Sequence, residues 1–185
     1  MQQNVYHGSP INGLSVIQTH ISPHQKSYVY ATYKPEYAAS YLSRHDDLYI
    51  QMCYDNGVYM LVERFYNALE YCYSNKNGSI YTLSGNDFKE NMTSYELDLV
   101  ASVQQNVLSE HRIYNALEYL LTLEKSSKIR IYCYPDVPYF MPTDKSDVID
   151  KAIKWYHMGR KSVLDTIKMH HKDIENKVLE GIKIT

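Results

Sequence analysis

The sequence lacks the signals that mark membrane and secreted proteins. It contains no run of about 18 apolar residues, and the segment from Met1 to Pro10 has neither a basic start nor an apolar stretch. Its three cysteines, Cys53, Cys72 and Cys133, include no closely spaced pair of the kind that holds zinc. An odd count also argues against a disulfide framework. We therefore expect a cytoplasmic protein with reduced, structural thiols.

An excess of charge of either sign is also missing. The 185 residues include 19 Lys and Arg against 21 Asp and Glu, for a net charge of -2. Such a balance creates no global field that would attract nucleic acid or an anionic membrane. No Pro-, Ser- or Gly-rich linker divides the chain, whose length suits one domain. We predict a single domain, with a core over residues 1–141 and a helical C-terminal extension over residues 142–185.

Phenylalanine and tryptophan are scarce, with 3 and 1 residues, whereas tyrosine occurs 20 times. A tyrosine buries an apolar ring but keeps a hydroxyl that needs a hydrogen-bond partner. Many of these residues are therefore expected at half-exposed positions such as the walls of a cleft. A bias in genome base composition would produce the same excess.

Short runs of β-branched and aromatic residues, separated by turn-formers, predict strands that belong to one curved sheet. They lie at residues 28–32, 57–62, 79–83, 97–103 and 128–134. Pro35 suits the first turn of a helix, and Tyr37, Ala38 and Tyr41 then share one face at helical spacing. The fold class predicted by these elements is α+β.

Helices are predicted mainly in the C-terminal third. The hexapeptide Tyr-Asn-Ala-Leu-Glu-Tyr occurs at residues 66–71 and 114–119. The second copy is read as a helix because further apolar residues extend its face, whereas the first is either a short helix or an irregular turn. In the tail, apolar spacing predicts a helix that ends or bends at Gly159 and a second continuous helix from Val163 to Leu179.

One motif suggests a function. Tyr6-His7-Gly8-Ser9 stands at the end of the first predicted strand, and the strand at residues 28–32 leads into Ala38-Ala39-Ser40-Tyr41. This order resembles the ADP-ribosyltransferase superfamily, in particular its polymerase-like, diphtheria-toxin-related branch. The resemblance covers residues 5–42 and extends weakly to about residue 103. It implies a curved mixed sheet with peripheral helices.

The resemblance also implies a site for NAD, used as a substrate. His7 would hydrogen-bond the ribose of the adenosine half, and backbone groups of Gly8 would hold the nicotinamide amide. Tyr30 and Tyr41 would flank the nicotinamide ring on its two faces. The implied cofactor-binding set comprises His7, Gly8, Ser9, Tyr30, Ala31 and Tyr41.

Cleavage of the nicotinamide–ribose bond passes through an oxocarbenium-like state, which a nearby carboxylate stabilises. Glu96 is the best positional match, because on a strand Leu97 and Leu99 would face inward and Glu96 the cleft. Asp98 shares the face of Glu96, and Glu63, Glu90 and Glu110 remain open as alternatives. Together with His7 and Tyr30, which the resemblance implies, Glu96 completes the predicted catalytic set.

The chain departs from the family pattern between His7 and Tyr30, where the segment is shorter than in the polymerase-type enzymes. A glycine often found before the tyrosine is absent, so Tyr28 and Tyr30 could be exchanged. RNA 2′-phosphotransferases share the fold but need basic residues that hold a phosphate. Lys26, Lys34 and Arg44 are the only nearby candidates in the sequence. Because basic residues are so few there, we rank the phosphotransferase activity lower.

Three functions remain open. The first is an enzyme that transfers ADP-ribose or hydrolyses NAD. The second is a non-catalytic module that binds a nucleotide or a protein, and the third is an α+β protein with a structural role. A carboxylate near a pocket formed by His7, Tyr30 and Tyr41 would favour the first.

Neither a metal site nor a further partner is predicted. The tail histidines His157, His170 and His171 stand near acids but form no recognised ligand set. NAD is the one predicted partner, membrane and nucleic acid are not indicated, and the acceptor and oligomeric state stay open.

Overall fold

The computed structural model describes residues 3–21, 26–93 and 95–184, and the chain divides into two compact units. The first unit consists of Met1–Arg44, Tyr54–Tyr59 and Glu70–Arg130. The second consists of His45–Cys53, Met60–Leu69 and Ile131–Thr185. The predicted core and C-terminal extension of a single domain stay a prediction.

Strands and helices alternate irregularly along the described residues. The strands are β1 (Asn4–Ser9), β2 (Val16–Ile17), β3 (His20–Ile21), β4 (Ser27–Ala31), β5 (Ile50–Asp55), β6 (Val58–Glu63), β7 (Gly78–Ser84), β8 (Leu99–Ala101), β9 (Gln105–Ile113) and β10 (Ile129–Tyr132). The helices are α1 (Pro35–Ala38), which continues as a 3-10 turn (Ala39–Leu42), then α2 (Ala68–Tyr73), α3 (Ala116–Lys125), α4 (Ser146–His157), α5 (Val163–His170) and α6 (Glu175–Ile184). The α+β fold class is confirmed.

The first unit is built on two antiparallel sheets. One has the strand order β1-β7-β9-β2, and the other has the order β3-β4-β8. Strands of both sheets contribute buried apolar residues. Their buried residues form one hydrophobic core: Val5, Ile17, Val29, Ala31, Tyr81, Leu83, Leu99 and Ala101.

The second unit is held together by its helices. Apolar residues at helical spacing on α4, α5 and α6 pack around Leu48, and the resulting core contains Val148, Ala152, Val163, Ile167, Ile174 and Val178. A third sheet has the order β10-β6-β5. None of the helices in the described ranges is long and apolar enough to cross a membrane.

Two sequence predictions for regular structure need correction. The strand predicted over residues 97–103 is shorter and begins only at Leu99, because residues 96 and 97 form a turn. The second tail helix is not continuous, since α5 ends at His170 and α6 begins at Glu175. His171 lies between the two helices, and its buried Nε2 is 2.8 Å from the carbonyl oxygen of Leu48.

Both copies of the hexapeptide begin a helix, but by different means. In the second copy the Asn115 side chain accepts a hydrogen bond from the amide of Glu118, which caps α3. In the first copy Asn67 has a left-handed backbone, and the carboxylate of Glu63 accepts from the amide of Leu69 instead. The first copy is therefore a short helix rather than an irregular turn.

Candidate functional site

His7 lies where β1 separates from β4. β1 pairs with β7 from Asn4 to Ser9, and it meets the end of β4 through a bridge between Tyr6 and Thr32. In that bridge the two N–O distances are 2.7 and 2.9 Å. Beyond the bridge, His7 and Gly8 remain paired with β7 on one side and line a cavity.

The His7 ring is fixed by one hydrogen bond. Its Nδ1 lies 2.7 Å from the carbonyl oxygen of Tyr30. Because a carbonyl oxygen can only accept, Nδ1 carries the proton and donates, and Nε2 keeps a lone pair. Burial lowers the pKa of His7 below its usual 6.5. At neutral pH this ring is therefore an uncharged acceptor.

The cavity is small and lies entirely within the first unit. It has a volume of about 30 Å³ and is lined by residues 6–8 of β1, residues 30–32 at the end of β4, residues 37, 38 and 41, and Asp98. That volume holds about two water molecules. Pockets for small ligands are typically about 300–1,000 Å³, so a nicotinamide ring does not fit without a rearrangement.

Most of the residues proposed from the sequence meet at this cavity. His7, Gly8, Tyr30, Ala31 and Tyr41 all line it. Ser9, the residue after Gly8, is buried but is not among the residues that line the cavity. Its hydroxyl accepts a hydrogen bond from the amide of Ile11, which fixes the turn after β1.

Glu96 does not join this group. It is exposed in the turn that precedes β8, and it is not among the described residues that line the cavity. The expectation that Glu96 stands on a strand and faces the cleft is wrong. The alternation on which it rested begins only at Leu99.

Gly8 is required by packing within the protein. A Cβ atom built on Gly8 would overlap the carbonyl oxygen of Ala38 and crowd the Cβ of Tyr41. The missing side chain thus lets β1 approach α1 and the 3-10 turn closely. This contact brings Tyr41 to the cavity on which His7 also opens.

Asp98 is the residue that sequence reasoning undervalued. It is buried, with 6% of its surface exposed, and it lines the cavity. Tyr37 donates its hydroxyl to Oδ1 of Asp98 at 2.9 Å, and Thr93 donates to Oδ2 at 3.0 Å. The sequence signal for Asp98 was its position directly before the apolar run Leu99–Ala101. Because that run is buried, the adjoining carboxylate lies in the core rather than in solvent.

Tyr37 and Tyr41 extend this network to the surface. Their hydroxyl oxygens are 3.1 Å apart, and their rings meet edge to face with centroids separated by 5.6 Å. Burial raises the pKa of Tyr37, and the neighbouring Tyr41 and Asp98 raise it further. The Tyr37 hydroxyl therefore stays protonated and remains a donor to Asp98.

Glu63 and Glu110, two of the other candidate carboxylates, have structural partners. Glu63 accepts from the backbone amides of Leu69 and Tyr134 within the second unit. Glu110 accepts from the amide of Gly13 and the hydroxyl of Ser79, both at 2.7 Å, and these bonds hold the pKa of Glu110 down to about 2. It thereby secures the loop that follows β1.

Comparison with models of protein families, with curated proteins and with solved structures finds no match. Within the described residues no group of three or more His, Cys, Asp or Glu side chains could hold a metal ion.

Proposed function

We propose that the cavity in the first unit is the nicotinamide end of an NAD site, and that the protein is an ADP-ribosyltransferase-like enzyme. NAD is the substrate, and the products are an ADP-ribosylated acceptor or free ADP-ribose. The observation that carries the proposal is the meeting of His7, Tyr30 and Tyr41 with a buried carboxylate at one cavity. Three segments that are far apart in sequence contribute to it, at residues 6–8, 30–41 and 98.

Each lining residue has a role that its chemistry permits. His7 offers Nε2 as an acceptor for a ribose hydroxyl, since its Nδ1 is already bonded to Tyr30. Tyr30 and Tyr41 contribute aromatic surface for the nicotinamide ring. Asp98 takes the role first given to Glu96, because a carboxylate near the ribose stabilises the positive charge that develops as the glycosidic bond breaks.

Binding requires the cavity to widen. Tyr41 is the lining tyrosine that solvent reaches most, with 37% of its surface exposed, and it lies in the 3-10 turn. Rotation of its side chain would separate the Tyr41 hydroxyl from that of Tyr37 and open the cavity outward. A closed site that opens on binding is a common form of conformational gating.

The size of the cavity favours a second candidate, a non-catalytic module with the same fold. Its volume is about 30 Å³, and one oxygen of Asp98 already accepts from Tyr37. A module that no longer turns over NAD would keep the cavity closed and its carboxylate hydrogen-bonded.

Calorimetric titration with NAD, followed by an assay of nicotinamide release, tests these proposals. We expect His7→Ala to weaken binding by about threefold to tenfold through the loss of one hydrogen bond. We expect Asp98→Asn to weaken NAD binding by at most about tenfold but to lower release by about 10²–10³-fold. Glu70→Gln, an exposed carboxylate on α2 in the same unit, is the matched control and should behave as the unaltered protein.

Each alternative outcome is informative. Release that is lost in Glu96→Gln and kept in Asp98→Asn would return the catalytic role to Glu96. Binding without release in the unaltered protein would favour the non-catalytic module. The absence of a binding heat at millimolar NAD, from protein that is folded by circular dichroism, would refute the proposed NAD site.

A further inference from the structure

The residues around the cavity give it a distinct electrostatic character. Four of them are tyrosines, at positions 6, 30, 37 and 41, and one is the buried carboxylate of Asp98. No lysine or arginine is among the described residues that line it. His7 adds no positive charge at neutral pH, because burial lowers its pKa. Aromatic surface and one acidic group therefore dominate the cavity.

The tyrosine rings are arranged so that an entering group would contact more than one of them. Tyr37 and Tyr41 are inclined at 84° to each other, so they form two adjoining walls and not a stack. Tyr59 buttresses Tyr37 from within the same unit, with ring centroids 4.9 Å apart. The Tyr37 wall is thus fixed, whereas the Tyr41 wall stands at the exposed rim.

Both features favour a cation. The face of an aromatic ring carries partial negative charge and attracts a positive group, most strongly where water is excluded. Tyr37 and Thr93 each donate a hydroxyl group to Asp98, and a hydroxyl donor brings no positive charge of its own. A phosphate would find no lysine or arginine among the lining residues, so an anionic part of a ligand has to remain outside.

We propose that this cavity selects a flat organic cation, an N-alkylated pyridinium ring, over the uncharged ring of the same shape. The inference rests on the proposed function in taking that ring to be the nicotinamide end of NAD. Selection by charge would orient the substrate, with the cationic ring against Asp98 and Tyr41 and the diphosphate toward solvent. It would also discriminate against the reduced cofactor, whose ring is neutral.

The test uses two small probes that differ by one methyl group and one charge. 1-Methylnicotinamide is the cation, and nicotinamide is its neutral counterpart. Titration of the full chain, followed by calorimetry or by tyrosine fluorescence, should give about tenfold tighter binding of the cation. Asp98→Asn should remove this preference, and Glu70→Gln should leave it unchanged.

Because Asp98 is buried, a second variant guards against a folding defect. Tyr41→Leu alters a rim residue, keeps an apolar side chain and removes the ring, so it should reduce the preference for the cation severalfold. Tyr41→Phe should retain most of it. Equal affinity for the two probes, tighter binding of nicotinamide, or no binding of either would overturn the inference.

The inference and the proposed function fail in different ways. If NAD binds but the two probes bind equally, the proposed function stands and charge selection falls. If 1-methylnicotinamide binds selectively but NAD does not bind, charge selection stands and the proposed function falls.

Discussion

Asp98 in the first unit and four aspartates in the second unit have different kinds of partner. In the second unit, carboxylates are paired with cations: Arg64 with Asp147, Lys145 with Asp173, Lys151 with Asp47 and Arg160 with Asp46. In the first unit, Asp98 is held by the hydroxyls of Tyr37 and Thr93. A cationic partner neutralises the charge of a carboxylate, whereas a hydroxyl donor hydrogen-bonds the carboxylate and adds no charge of its own. The difference supports the binding role proposed for Asp98.

The largest effect is expected when a buried pair in the second unit is broken. Arg64 is only 2% exposed and donates twice to Asp147, at 2.6 and 2.8 Å. Asp147→Ala leaves this buried guanidinium without its carboxylate and should cost about 3–5 kcal/mol of unfolding free energy. Urea denaturation measures the change.

A double variant distinguishes loss of the pair from loss of packing. Arg64→Met combined with Asp147→Ala buries no charge and should recover most of the stability lost in Asp147→Ala. If the double variant is as unstable as the single one, the charge of Arg64 is not the cause.

The next effect compares one glycine from each unit. Gly8→Ala forces a methyl group against the Ala38 carbonyl, which belongs to the backbone and cannot rotate away, so we expect a loss of about 3 kcal/mol. Gly181→Ala on α6 meets only the flexible end of Ile153 and gains helix propensity, so its net change should stay within about 1 kcal/mol. Thermal unfolding of both variants compares them directly, and similar losses would contradict the packing argument.

A somewhat smaller effect depends on pH. His171 is fully buried, and burial lowers its pKa from 6.5 to about 4. Since the unfolded chain takes up a proton at higher pH than the folded one, this contribution is complete above about pH 6.5 and is lost as the pH falls toward 4. We expect a decrease on the order of 2–3 kcal/mol across this range.

The same measurement on His171→Gln isolates that contribution. Its unfolding free energy should depend less steeply on pH between 6.5 and 4 than that of the unaltered protein. Parallel slopes would assign the acid sensitivity to another group.

The smallest effect concerns Glu110 in the first unit, which is partnered by Arg112 at the surface. Its pKa is depressed from 4.5 to about 2, so its contribution is present above pH 4.5 and is lost as the pH falls toward 2. Glu110→Gln can still accept from Gly13 and should change little at neutral pH. Its acid unfolding should lack this component, and an unchanged acid profile would refute the assignment.

Runs of β-branched and aromatic residues bounded by turn-formers made the strands near residues 28–32 and 79–83 predictable, and both are confirmed within one residue at each end. β9, the longest strand described, escaped prediction because Glu110 and Arg112 interrupt any apolar alternation along it. Local pattern reports burial on one face, but it does not report pairing with a neighbouring strand.

The candidate site was predictable to a similar extent. His7, Tyr30 and Tyr41 could be named from the order of motifs, and they do line one cavity. The identity of its carboxylate could not be derived, because a shift of two residues separates the exposed Glu96 from the buried Asp98. The start of β8 decides between them, and tertiary packing determines that start.

The hydrogen bond from His7 to Tyr30 has a spectroscopic consequence. Because Nδ1 donates to the carbonyl of Tyr30, the imidazole is held as a single tautomer. A hydrogen bond from a ligand to this ring is therefore made to Nε2. The ¹⁵N resonance of that nitrogen would move when a hydroxyl donates to it and would stay in place when a ligand binds elsewhere. In ¹⁵N-labelled protein, the resonance of His7 Nε2 would therefore report whether a ligand occupies the cavity.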